Sequence, residues 1–207
     1  MMTKKTPLAV SGTAQGILAG ICIALGGTVY LSCDNKYVGA VLFCVALLTI
    51  CFFGFSLYTG KIGLIVENHK KKDIAVLLTG LFGNTIACVL FGLLAGAGVP
   101  KMVEAAAAVC TAKLTQTAGQ TFIRGIFCGI LMYIAVWVYQ KKNSIVGILF
   151  AIPVFILSGF EHSIADMYYF ALARIFTLEA AGYIALVILG NTAGSLIIPL
   201  LMKLKTE

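Results

Sequence analysis

The chain has 207 residues, of which 60% are hydrophobic and only 11% are charged, and its mean hydropathy is +1.02. A soluble domain of this length cannot bury so much apolar surface, so the composition predicts a protein that crosses a lipid bilayer several times. The formal net charge of +7 comes from short cationic clusters between apolar runs. Such clusters indicate topology signals rather than a surface that binds nucleic acid.

The apolar runs predict six spans, at about 14–32, 37–66, 74–94, 122–139, 145–173 and 180–202. The second and fifth runs are interrupted by polar stretches that contain glycine, at 54–60 and 158–166, and these predict two helices unwound in the middle. Neither half of the second run is expected to span a bilayer alone. The apolar run after the basic start lacks a small-residue cleavage site, so no cleaved signal is expected.

Each half of the sequence holds three runs, and the third run of each half carries the same tripeptide, Gly83-Asn84-Thr85 and Gly190-Asn191-Thr192. Three spans per half place the halves in opposite orientations. The pattern predicts one transmembrane domain made of inverted repeats at about 14–95 and 121–203, with a substrate site near the membrane midplane.

The distribution of cations predicts the orientation. With the N-terminus inside, nine lysines lie on inner segments against five lysines and arginines on outer ones, if Lys61 is left out. The inner count includes Lys4, Lys5 and Lys205. Because cytoplasmic loops carry the excess of positive charge, both termini are predicted to be cytoplasmic.

The chain carries no pattern that is typical of an enzyme, a metal site or a cofactor site. Its seven cysteines mostly lie within apolar runs without a CxxC pair, which is typical of small hydrophobic side chains. Cys33 and Cys110, near the predicted outer face, are the pair that could meet. His69 and His162 are too far apart in sequence to indicate a shared metal ion.

The fifth run places ionisable side chains within a segment apolar enough to lie in lipid, and such residues are candidates for function. His162 is either a pore residue or a structural residue that ties the two interruptions together, and an ordinary surface loop is the simplest alternative for the segment. Glu161 is expected to accept several backbone N–H bonds. Asp166 is expected to cap the short helix that follows.

The sequence resembles the formate/nitrite transporter family over nearly its whole length. The resemblance is carried by Gly159-Phe160-Glu161-His162-Ser163-Ile164-Ala165, and it is supported by Ala135-Val136-Trp137, Gly190-Asn191 and Leu57-Tyr58-Thr59. It implies an all-α, aquaporin-like protomer with six transmembrane helices, assembled as a homopentamer in the bacterial inner membrane. It also implies a pore in each protomer for formate, nitrite or hydrosulfide.

The resemblance implies roles for single residues. His162 matches the central pore histidine, and Thr59 a threonine expected to hydrogen-bond that histidine or the substrate. Lys113 matches a basic residue of the vestibule, and Glu161 and Asn191 match polar residues that support the fifth-run interruption. The residues that match the two apolar constrictions are Phe43 with Phe155, and Leu47 with Leu57.

The sequence departs from the family pattern at Gly129 and Asp166, where asparagines are common, and its start is too short for the gating helix proposed in some members. Gly129 is interpreted as leaving a roomier or less polar central chamber. These changes bear on substrate preference and gating.

Three features would lower the cost of moving an anion through a dry constriction. Helix N-termini at the interruptions would offer N–H groups, and Lys113 would concentrate anions. His162, whose unperturbed pKa is near 6.5, would protonate the anion, unless the proton comes from bulk water. Formate is the expected substrate, with nitrite or hydrosulfide as alternatives. Outside the family, the alternatives are an aquaporin-like channel for neutral solutes and a structural membrane subunit.

Overall fold

The computed structural model describes residues 8–67 and 69–204, and the regular structure of these residues is helical. The helices are α1 (Leu8–Ser32), α2 (Lys36–Leu42), α3 (Cys44–Phe53), α4 (Tyr58–Lys61), α5 (Lys71–Gly98), α6 (Lys101–Leu114), α7 (Ala118–Lys142), α8 (Val146–Leu157), α9 (Ser163–Leu172) and α10 (Leu178–Leu204). A 3-10 helix, Ile62–Val66, continues α4.

Among the described residues, five helical stretches are long and apolar enough to cross a membrane: Leu8–Ser32, Lys36–Phe53, Lys71–Gly98, Ala118–Lys142 and Leu178–Leu204. The apolar helix α8 is shorter, at 12 residues, and α9 follows it after a break. The chain is therefore an all-α, multi-pass membrane protein, and each of the six predicted runs falls on helices.

The second predicted span differs in detail from the expectation. Its first half, Lys36–Phe53, has 18 residues and is long enough to span alone, because α2 and α3 are nearly continuous across Phe43. The interruption is also shorter than predicted, since helical structure resumes at Tyr58. Thr59 therefore lies on a helix rather than in a turn.

The buried and exposed surfaces are arranged as in a membrane protein. Large apolar side chains such as Phe53 and Phe150 are exposed at the outside, at 73% and 71%. Polar and charged side chains are buried instead, and the buried set is Ser56, Thr59, Asn84, Thr121, Glu161, His162, Ser163, Asp166, Asn191 and Ser195. Most of this set lies at the two interruptions or packs against them, so the polar centre of the molecule is where the helices break.

Two helix pairs, α1 with α5 and α7 with α10, approach so closely that glycine is required between them. A Cβ atom on Gly16 would lie 2.3 Å from the carbonyl oxygen of Gly80. A Cβ atom on Gly129 would lie 2.3 Å from the carbonyl oxygen of Asn191. Small residues let membrane helices pack at this distance. Gly129 therefore serves a helix contact, and the interpretation that it enlarges a central chamber is wrong.

The cation count used for orientation includes Lys4, Lys5 and Lys205, which lie outside the described residues.

All seven cysteines are free thiols, including Cys33 and Cys110.

Candidate functional site

A glycine in a left-handed conformation ends the first half of each broken helix. Gly54, with φ of 72°, follows α3, and Gly159, with φ of 67°, comes two residues after the end of α8. Side chains other than glycine are strained at such angles. The chain then runs without helix through 55–57 in one interruption and 160–162 in the other.

Asn84 on α5 holds the first interruption. Its Nδ2 donates to the carbonyl oxygens of Gly16, at 2.8 Å, and Ser56, at 2.9 Å. Its Oδ1 accepts from the backbone nitrogen of Tyr58 at 3.0 Å. The fully buried amide therefore satisfies backbone groups on both sides of the break, which lipid could not do.

Asn191 on α10 holds the second interruption in the same way. Its Nδ2 donates to the carbonyl oxygens of Gly125, at 3.0 Å, and Glu161, at 2.7 Å. Its Oδ1 accepts from the backbone nitrogen of Ser163 at 2.9 Å. The two Gly-Asn-Thr tripeptides thus place equivalent amides at equivalent breaks.

His162 lies between the two interruptions and is only 2% exposed. Its Nδ1 accepts from the backbone nitrogen of Ala165 at 3.1 Å, and its Nε2 lies 2.8 Å from Thr59 Oγ1. Because Nδ1 accepts a hydrogen bond, the neutral ring carries its proton on Nε2 and donates to Thr59. The ring of Phe155 stacks on the imidazole with centroids 5.7 Å apart.

The cap of α9 corrects the expectation for Asp166. The capping side chain is that of His162, which accepts the Ala165 N–H. Asp166 lies within the first turn of α9 and does not cap the helix. Its carboxylate bonds to Lys113 instead.

The predicted constriction residues are buried and form two apolar pairs. Phe43 and Phe155 are 2% and 4% exposed, and their rings meet edge to face with centroids 6.4 Å apart. Leu47 and Leu57 are each 1% exposed. All four side chains are therefore packed inside the protein.

Each pair of predicted constriction residues lines a cavity. The first, of about 270 Å³, is lined by both phenylalanines together with His162 and Lys113; we call it the Lys113 cavity. The second, of about 50 Å³, is lined by both leucines and Lys61; we call it the Lys61 cavity. Each cavity therefore presents one apolar constriction and one lysine.

Lys113 on α6 reaches back to the second interruption. Its Nζ forms ion pairs with Glu161 Oε2 and, at 2.9 Å, with Asp166 Oδ1. Gln116 Nε2 donates to Glu161 Oε1 at 2.7 Å. The expectation that the Glu161 carboxylate accepts backbone N–H groups is wrong, because its partners are these two side chains.

The amide groups at the interruptions are less available than the sequence suggested. The backbone nitrogens of Tyr58, Ser163 and Ala165 already donate to Asn84, Asn191 and His162. These three groups are therefore engaged within the protein and are not free to hold an anion.

The family model described as Formate/nitrite transporter matches residues 2–204. The chain belongs to the formate/nitrite transporter family. It is accordingly a transporter and not an enzyme.

The chain is similar over most of its length to curated formate/nitrite transporters. It is 29% identical over 204 residues to the nitrite transporter NirC of Escherichia coli, covering 89% of this chain and 76% of the relative. It is 26% identical over 179 residues to the formate channel FocA of Haemophilus influenzae, covering 74% of this chain and 63% of the relative.

Two solved formate/nitrite transporter structures share the fold. A structure described as an FNT family ion channel has a TM-score of 0.78 and 27% identity, covering 97% of this chain and 90% of that chain. A pentameric formate channel with formate bound has a TM-score of 0.82 and 21% identity, covering 98% and 99%. The aquaporin-like architecture expected from the resemblance is therefore present.

Sequence reasoning missed two residues that the structure brings into the site. Asn84 was recognised as part of a repeated tripeptide but was given no role of its own. Its equivalence to Asn191 was the signal that could have assigned it the support of the first interruption. Gln116 lies in the connection 96–120 and gave no signal, because its contact with Glu161 joins segments 45 residues apart.

Proposed function

We propose that this chain conducts a small monovalent anion or its acid across a membrane, with formate as the preferred substrate. Nitrite and hydrosulfide are the alternatives within the same family. The observation that carries the proposal is His162, buried between two broken helices, where it lines the Lys113 cavity together with the apolar pair Phe43 and Phe155. The Lys61 cavity is lined by the other apolar pair, Leu47 and Leu57. An anion would gather at either lysine, and the apolar constriction would favour its neutral acid.

The hydrogen bonds of His162 bear on the source of the proton. A proton added to Nδ1 would break the bond from Ala165 and set two N–H groups against each other. The proton on Nε2 is engaged with Thr59. We therefore favour a proton that reaches the anion from water in a cavity, while His162 donates a hydrogen bond through Nε2–H when Thr59 releases it.

The wider assembly follows from the family and is part of the proposal. A homopentamer with one pore per protomer is proposed because the fold matches that of a pentameric formate channel. A bacterial inner-membrane location with both termini in the cytoplasm is proposed from the cation count. Inverted repeats at about 14–95 and 121–203 are proposed because Asn84 and Asn191 hold their breaks with matching bonds.

The proposal is tested by replacing the central imidazole. His162→Phe, reconstituted into proteoliposomes, is expected to lose formate flux or its response to pH, because no ring nitrogen remains to bond Thr59 or the substrate. The matched control is His69→Phe, at the chain's other histidine, which is exposed. Both variants are first checked for assembly by size-exclusion chromatography.

Wild-type flux and wild-type pH response in His162→Phe would remove the proposal. A side-by-side panel of formate, nitrite, hydrosulfide and glycerol assigns the substrate class. Glycerol flux without anion flux would support the neutral-solute channel instead.

A further inference from the structure

The wall of the Lys113 cavity carries two carboxylates that share one lysine. Lys113 Nζ contacts two carboxylates, Glu161 and Asp166, which are 2% and 1% exposed. Arg124 is the other cation on the cavity wall. With both carboxylates ionised the wall has no net charge, and with one of them protonated it is positive by one unit.

The hydrogen bonds show which carboxyl group accepts a proton more easily. Both oxygens of Glu161 have donors, from Lys113 and Gln116. Among the described residues, Asp166 has one donor, Lys113 on Oδ1, and its buried Oδ2 has no hydrogen-bond partner. Donors stabilise the ionised form of a carboxyl group, and an oxygen without a donor can carry a proton without losing a bond.

We propose that Asp166 is the proton-accepting residue that controls the entry of anions into the Lys113 cavity. Ionised, it brings the cavity wall to zero net charge, which does not attract anions. Protonated on Oδ2, it leaves Lys113 and Arg124 against Glu161 alone, and the net charge of one positive unit attracts an anion. The proton is taken from water in the cavity and is returned there, so no covalent step is involved. This inference rests on the proposed function and adds Asp166 to the residues on which its dependence on pH rests.

Other titratable groups also face Asp166. Besides Glu161 and Arg124, the cavity wall includes His162 and the phenols of Tyr30 and Tyr169. Cys110, Cys128 and Tyr183 lie close enough to interact electrostatically with Asp166. None of these groups except His162 ordinarily changes charge between pH 5 and 8, and His162 Nδ1 is held as an acceptor by the cap of α9.

The test is Asp166→Asn, which keeps the shape of the side chain and an acceptor for Lys113 but cannot ionise. Formate flux into proteoliposomes is measured from acid to alkaline pH for the variant and for the wild type. Dividing the flux of the variant by that of the wild type at each pH removes the effect of the protonation of formate itself. We expect a ratio near one at the acid end and roughly ten at the alkaline end, because one unit charge within about 8 Å changes anion occupancy by that order.

Glu67→Gln is the matched control, since it removes a carboxylate that is paired with Lys141 at the surface, far from the Lys113 cavity. Its flux ratio to the wild type is expected to stay near one at every pH. Should Asp166→Asn fail to assemble, Asp166→Ser replaces it, because the smaller neutral side chain only widens a wall of an existing cavity.

The outcomes separate the two proposals. A variant-to-wild-type ratio that does not change with pH, beside clear wild-type formate flux, overturns the role of Asp166 alone. A wild type that passes none of formate, nitrite and hydrosulfide overturns the proposed function, and this inference with it. A ratio that rises with pH in Asp166→Asn and stays flat in Glu67→Gln supports the inference.

Discussion

Asn191→Leu keeps the branch point of the side chain at Cγ but removes the amide, and with it the three hydrogen bonds to buried backbone groups. Each buried polar group left without a partner costs about 1–3 kcal/mol. We expect the free energy of unfolding to fall by about 3 kcal/mol or more. For a chain of this size that loss lowers the midpoint of thermal unfolding by about 6–12 °C.

The assay is thermal unfolding of the purified protein in detergent, with the remaining assembled fraction followed by size-exclusion chromatography. Asn84→Leu is expected to lower the midpoint by a similar amount, because Asn84 makes the same number of bonds at the other interruption. The control is Thr85→Val, since the Thr85 hydroxyl donates to Leu81 O of its own helix, at 3.0 Å, and to the weak acceptor Met167 Sδ, at 3.4 Å, and leaves no buried backbone group of a break unpaired. Midpoints for both leucine variants within about 2 °C of the control would refute the reasoning.

Two further changes test the packing around the site by the same unfolding assay. Lys113→Met leaves two buried carboxylates without their cation and is expected to lower the free energy of unfolding by about 3–5 kcal/mol. Lys141→Met, which breaks an exposed pair, should lower it by less than about 1 kcal/mol. Equal losses in the two variants would contradict this reasoning. Gly194→Ala is expected to cost about 1–3 kcal/mol, because its Cβ would lie 2.0 Å from a carbonyl oxygen of α7. On the same helix, the Cβ of Gly182→Ala would meet no neighbouring atom of the described part of the chain within 4 Å, so this variant should be neutral or stabilising. Equal stability of the two alanine variants would argue against the close helix contact.

Most of the helical architecture could be predicted because its signals are local. High hydropathy over about 20 consecutive residues predicts a span without knowledge of the rest of the chain. A glycine within a polar stretch of such a run predicts an interruption in the same way. Gly54 and Gly159 end their helices through their own backbone angles, which no distant residue has to supply. The same holds for the repeated Gly-Asn-Thr tripeptide, which can be read without knowing its partners.

Residue roles at the interruptions were harder to predict, because short polar side chains compete for the same backbone groups. Both His162 and Asp166 stand near the start of α9, and either could have capped it. The structure assigns the cap to His162, since Lys113 from α6 occupies the carboxylate of Asp166. Glu161 does not accept the expected backbone N–H bonds, because Lys113 and Gln116 donate to its two carboxylate oxygens.

The sequence by itself determined a chain of six apolar runs, two of them broken, with one histidine at the second break. The tertiary structure alone decided what that histidine touches, because Thr59 and His162 are 103 residues apart. It also decided that Gly129 faces the backbone of Asn191 and that one lysine serves two carboxylates. These contacts depend on which helices become neighbours, and in a membrane that choice is made by close packing and hydrogen bonding between helices rather than by hydropathy.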